Sequence, residues 1–147
     1  MSTLRVDTIT DEAGTGPVTL SAGLRVGTIT DEAGTGAVSF PNGIQTSGTP
    51  VEEVYALSGT TPALEPDNGS IQTHTLSGNT TYSDGFSAGQ AITLMIDDGL
   101  ASTATWPTMT WVNNGGAAPT LATSGYTTVA LWKVSTTLYG ALVGDGS

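Results

Sequence analysis

Residues 4–23 read LRVDTITDEAGTGPVTLSAG, and residues 24–43 read LRVGTITDEAGTGAVSFPNG. Leu4 recurs as Leu24, Ile9 as Ile29 and Gly23 as Gly43, an unbroken period of 20 residues with six differences. A period this short marks a stacked or fibrous unit, because one such unit cannot bury its own apolar side chains. Within each repeat, LRVxTIT is extended and β-branched, DEAGTG supplies a glycine turn, and PVTL or AVSF resumes the extended pattern. Two strand–turn–strand repeats fall short of the roughly three that an isolated solenoid needs. Self-association around an axis is therefore expected, burying Leu4, Val6, Ile9, Val18, Leu24, Val26, Ile29, Val38 and Phe40 between chains. The alternative is a small hairpin packed on the rest of the chain.

Composition narrows the partners. Arg5, Arg25 and Lys133 are the strong cations of a chain with net charge −10. Nucleic-acid binding needs clustered Lys and Arg to displace counterions from phosphates, and three scattered cations do not supply it. Anionic membranes are disfavoured for the same reason. There is no cysteine, so disulfides and thiolate metal sites are absent. The first 30 residues lack an apolar h-region, so no ordinary signal peptide is expected. No run approaches the ~18 apolar residues of a membrane span, and no membrane insertion is expected. The tryptophans, tyrosines and aliphatics argue for a packed core.

The chain divides into a repeat segment (1–46), a Pro-rich connector (47–69) and a β module (70–147). IQTHTL (71–76) alternates, and AITLMID (91–97) is a nearly continuous apolar run, hence a buried strand. TATWPTMTWV (103–112) alternates around Pro107, which favours an edge or a bulge. TTVALWKV (127–134) and TTLYGALVG (136–144) are separated by almost nothing and suggest a hairpin. VEEVYAL (51–57) is a weak helical candidate. The expected fold class is all-β: the short repeats, then an antiparallel, sandwich-like module.

The segments THTLSGNTTY (73–82), TWPTMTW (105–111), GGAAPTL (115–121) and LYGALVG (138–144) occur in that order. Together they resemble the C-terminal module of bacteriophage tail-fibre and other virion fibre proteins. LRVDTITDEAGTG, with its continuation FPNGI at Phe40–Ile44, resembles segments of structural proteins of marine phages, especially those infecting cyanobacteria. The resemblance implies a homotrimeric, β-rich protein on the virion surface, on capsid or tail. The chain departs from long tail fibres in having no long shaft.

Candidate chemistry is sparse. His74 is the sole histidine and lies in an alternating strand without a nucleophile elbow, so a backbone or hydroxyl partner is expected rather than a catalytic triad. Three copies meeting on an axis would be the one route to a His74 metal site. Asp97-Asp98-Gly99, Asp11-Glu12 and Asp31-Glu32 lack the spacing of an EF-hand loop and read as turns. No catalytic residue, cofactor or metal site is assigned. Among the aromatics, Trp132 reads as core. Trp106, Trp111 and Tyr126 are the candidates for a receptor-facing, sugar-stacking surface. Trp106 and Trp111 are five apart, so in a regular strand they would face opposite sides unless Pro107 marks a bulge.

The expected function is therefore that of a structural virion protein: a short trimeric capsid fibre or decoration protein, not an enzyme. The repeats would make the contacts to other virion proteins, and the β module would point outward. The alternative is a tail-fibre or adhesin tip that binds a host surface glycan.

Overall fold

AITLMID is a nearly continuous apolar run, the pattern of a strand in the interior of a sheet. In the computed structural model, which describes residues 48–98 and 102–146, it forms β6 (Ala91–Asp97). β6 runs parallel to β3 (Ile71–Thr75) and antiparallel to β9 (Tyr126–Val134). The sheet extends on one side to β1 (Val54–Leu57) and on the other to β10 (Thr137–Gly146) and the short β8 (Thr110–Trp111).

The antiparallel, sandwich-like expectation is corrected here. The described residues are β-rich with no α-helix, but their main sheet is mixed. β1, β3 and β6 are parallel, as are β8 and β10, and the antiparallel pairings described all involve β9. The physical reason lies in the connections. Parallel neighbours need a long return path, whereas antiparallel ones can share a tight turn. From Val54 the chain makes one circuit to arrive beside itself at Ile71, and a second to arrive at Thr93.

On the way round, the first circuit forms β2 (Ala63–Leu64), and the second forms β4 (Thr80–Thr81) and β5 (Ser83–Asp84). The stretch that follows β6 forms β7 (Ala104–Thr105). β2 pairs with β5 and β4 with β7, again in parallel. The Thr81 N–H donates to the Thr60 carbonyl at 2.8 Å, and the Tyr82 N–H to that of Thr105 at 2.9 Å. Successive circuits are thus hydrogen-bonded along more than one side, as in a short parallel coil.

The sheet's inner side carries Gln72 and His74 from β3; Ile92, Leu94 and Ile96 from β6; Val129 and Leu131 from β9; and Leu138 from β10, all buried. Leu57, Leu64, Leu76, Tyr82, Phe86 and Trp111 close over them. The expected hairpin is present: β9 and β10 meet at Ser135–Thr136, with Ser135 in the left-handed region at φ 54°. Gly140 on β10 is required by packing. A Cβ there would lie 2.5 Å from Met109 Cε and 2.9 Å from the Trp111 ring. The register of β10 against β9 shifts between Leu142 and Gly144. Beside that bulge the Asn113 amide donates to the Leu142 carbonyl at 2.9 Å and accepts from the Leu142 N–H at 3.0 Å. Lys133 Nζ reaches Asp84 Oδ2 at 2.6 Å and the Phe86 carbonyl at 3.0 Å, tying β9 to the second circuit.

The weak helical reading of 51–57 also gives way. Val54–Leu57 is a strand, because its pairing with β3 places Leu57 beside His74 over the core. Within the expected connector, 47–69, residues 54–69 supply β1, β2 and a 3-10 turn at Pro66–Asn68. Gly48–Ser147 forms one compact unit. Leu4, Val6, Ile9, Val18, Leu24, Val26, Ile29, Val38 and Phe40 lie outside the described residues.

A fragment of residues 48–147 is expected to melt cooperatively with near-UV circular dichroism. A fragment of 70–147 lacks Leu57 and Leu64 and bares the edge of β3. Losing even one such buried leucine costs about 2–5 kcal/mol, so the shorter fragment should melt far lower or lack fixed tertiary structure. Equal melting of the two would contradict this account of the first circuit.

Candidate binding face

The same alternation that builds the core leaves a second side of the six-stranded sheet uncovered among the described residues. Strand parity assigns it without ambiguity. Thr127, Val129 and Leu131 face inward, so Tyr126, Thr128, Ala130 and Trp132 face outward. Register lines these up with their neighbours. One row across the sheet is Val54, Ile71, Thr93, Ala130 and Ala141. The next is Ala56, Thr73, Met95 and Thr128. A third places Ala91 beside Trp132, and Trp132 beside Tyr139.

Trp132 and Tyr139 stack nearly parallel, with ring centroids 6.0 Å apart and an interplanar angle of 13°. On its other flank the indole rises above small neighbours. Ser70, Ala91, Thr93, Ala130 and Trp132, with Ile92 and Leu131, line a shallow open hollow of about 380 Å³. Among the described residues, Asp97, at the end of β6, is the one charged strand residue directed to this side. Apart from Asp97 and Tyr126, the face is made of alanines, threonines, aliphatics and the stacked Trp132–Tyr139 pair.

The aromatic assignments change accordingly. Trp132, read as core, is half-buried on the outer face. Trp111 is 8% exposed inside the core, and Trp106 packs against the same cluster. The stretch around Pro107 leaves the strand between β7 and β8, so both indoles reach one side. Trp106 stacks on Tyr82 at 5.1 Å and meets Trp111 edge-on at 5.1 Å. Of the three aromatics expected to face a receptor, Tyr126 is exposed, at 38%, on the outer face beside Asp97. The alternation Val129–Leu131 already carried the signal for Trp132. It was masked because β9 is apolar on both sides.

His74 is held as its strand position implied. Its Nε2 lies 3.1 Å from the Gly59 carbonyl, which can only accept, so Nε2 carries the proton. Nδ1 then accepts from the Tyr82 hydroxyl at 2.8 Å. Burial holds His74 below its usual range, with the bond to Gly59 partly opposing. Burial pushes the Tyr82 hydroxyl well above the usual phenol range, reinforced by the negative charge of Asp98. Both groups therefore stay neutral, which the pair of hydrogen bonds requires. His74 is 1% exposed, out of reach of a neighbouring chain or a substrate. Asp98 is equally buried, so the Asp97–Asp98 pair does not present two carboxylates to a cation. No cluster of three or more His, Cys, Asp or Glu suited to a metal ion occurs among the described residues. None of their helices is long and apolar enough to cross a membrane.

No protein-family model matches the chain, and neither the curated proteins nor the solved structures give a match.

The His74 site has a pH signature. Below about pH 6.5 the unfolded chain takes up a proton that folded His74 resists. Stability from this group is therefore intact above that pH and falls as pH drops through 6.5 toward the lower folded value. The melting temperature should decline between pH 7.5 and 5.5, and His74→Gln should flatten that slope. An unchanged slope in the variant would assign the pH response to other groups.

Proposed function

We propose that this protein is a structural component of a bacteriophage virion, a short homotrimeric fibre or decoration protein on the capsid. The observation that carries the reading is the uncovered sheet face: wide, built of small and apolar side chains, and almost without charge in a chain of net charge −10. Such a face suits permanent contact between protein surfaces, whose cores are depleted in charged residues and enriched in aromatics. The 20-residue repeat and the resemblance to phage fibre segments support the same reading from the sequence. In this reading the repeats, through residues such as Val26 and Ile29, attach the protein to other virion proteins.

A tail-fibre tip binding a host glycan is the second reading. The hollow beside Trp132 favours it, since a free indole flank with the Ser70 and Thr93 hydroxyls nearby suits a neutral sugar ring.

Light scattering of the full chain should give about three times the 14.8 kDa chain mass across micromolar concentrations. A 14.8 kDa species throughout would end the trimeric reading. Cryo-microscopy of particles separates capsid from tail, and a glycan array that retains a neutral oligosaccharide would favour the second reading.

A further inference from the structure

We infer that the uncovered side of the six-stranded sheet, centred on Thr128, Ala130 and Trp132, is the surface through which copies of this chain contact one another. The inference rests on the homo-oligomeric reading above. It goes further by assigning the contact to the C-terminal unit rather than to the repeats alone.

Charge selects the occupant. A second copy carries the same net charge of −10, so two copies repel wherever their carboxylates meet. A face whose strand residues include a single carboxylate, Asp97 at its margin, lets them approach at least cost. A basic partner would be drawn to the acids, and this face offers it almost nothing. A glycan would fill the hollow beside Trp132 and leave the rest of the sheet bare.

Extent agrees with a second copy. β1, β3, β6, β9 and β10, about 4.8 Å apart and averaging about seven residues at ~3.3 Å each, present roughly 500 Å² of sheet. That is a large share of the ~800 Å² per partner of a standard stable interface. The chemistry also suits sheet-on-sheet contact. Thr73, Thr93 and Thr128 can exchange hydroxyl hydrogen bonds across the contact. Ala91 and Ala130 form a hollow into which a side chain of the neighbouring copy can insert beside the Trp132 indole.

The test uses the full chain. Thr128→Glu and Ala130→Glu each place a carboxylate mid-face, where an isolated copy would leave it in water. Light scattering at micromolar concentration should show both variants falling to the 14.8 kDa chain mass, with far-UV circular dichroism unchanged. Thr81→Glu adds the same charge at an exposed position of β4, outside the six-stranded sheet, and should keep the wild-type mass. Because the chain has no cysteine, single-cysteine variants give an independent readout that does not need a destabilising charge. Thr128→Cys should yield covalent dimers with a short bis-maleimide, and Thr81→Cys should not.

If the wild type is oligomeric but the glutamate variants keep its mass and Thr128→Cys does not cross-link, this inference falls while the trimeric reading stands. If the wild type is a monomer, both fall. Variants that keep the oligomer mass but lose attachment to particles or binding to a glycan would give the face to another virion protein or to a sugar, and would also overturn the inference.

Discussion

The pairing of β6 with β9 is the contact on which the rest of the described structure depends. On its inner side Leu94 lies beside Val129 and Ile92 beside Leu131, and all four are buried. Here the coil of parallel strands meets the hairpin that ends the chain. Without β9, the last circuit would show an open edge with unpaired N–H and C=O groups above an exposed apolar row. Without β6, the hairpin would have no apolar layer to cover, and an isolated hairpin is marginal in water. Each half supplies the surface that the other needs.

Much of this was legible because strand periodicity is a local property. AITLMID, IQTHTL and the β9–β10 pair stand where their alternation and turn residues put them, and His74 has the hydroxyl and carbonyl partners that its strand position implied. What was not legible is which strands become neighbours, and in which direction. The circuits from Val54 to Ile71 and from Ile71 to Thr93 are close in length to the N-terminal period, yet they share no repeated sequence. Their inward positions hold Leu57, His74 and Ile96 in one line, three residues with no common side-chain type. Stacking needs only that each fits the interior, so no repeat marks it. The strands inside the expected connector, 47–69, are hidden for the same reason. Its prolines turn the chain at corners of a circuit rather than releasing it into solvent.

The tryptophans show a different limit. Parity in β9 depends on knowing which side is covered, and Ala130 and Trp132 are as apolar as Val129 and Leu131. A strand that is apolar on both sides usually belongs to a sheet covered on both sides. Here the described residues cover only one. Trp106 and Trp111 face opposite sides only in a regular strand, and the alternative of an interruption at Pro107 is the one found: the strand ends there and the phase resets. The candidate face was therefore hidden by a residue that looked like core, while two core residues looked like a face.

These two errors have one physical origin, and it bears on function. The apolar residues of this unit exceed what its own interior can take up, because a coil of so few circuits has a small interior and a broad outer sheet. A chain selected to stay solitary would place Lys or Glu along the outer positions of β6 and β9, where side chains are free to reach water. This chain places Thr, Ala, Met and Trp there and keeps its carboxylates off the centre of the sheet. Neither catalysis by the buried His74 nor cation binding at Asp98 accounts for that choice. Burial against another protein surface accounts for the missing charge, the half-buried aromatic pair and the alanine hollow together. A sugar site would account for the hollow and the indole, and would leave the uncharged remainder of the sheet without a cause.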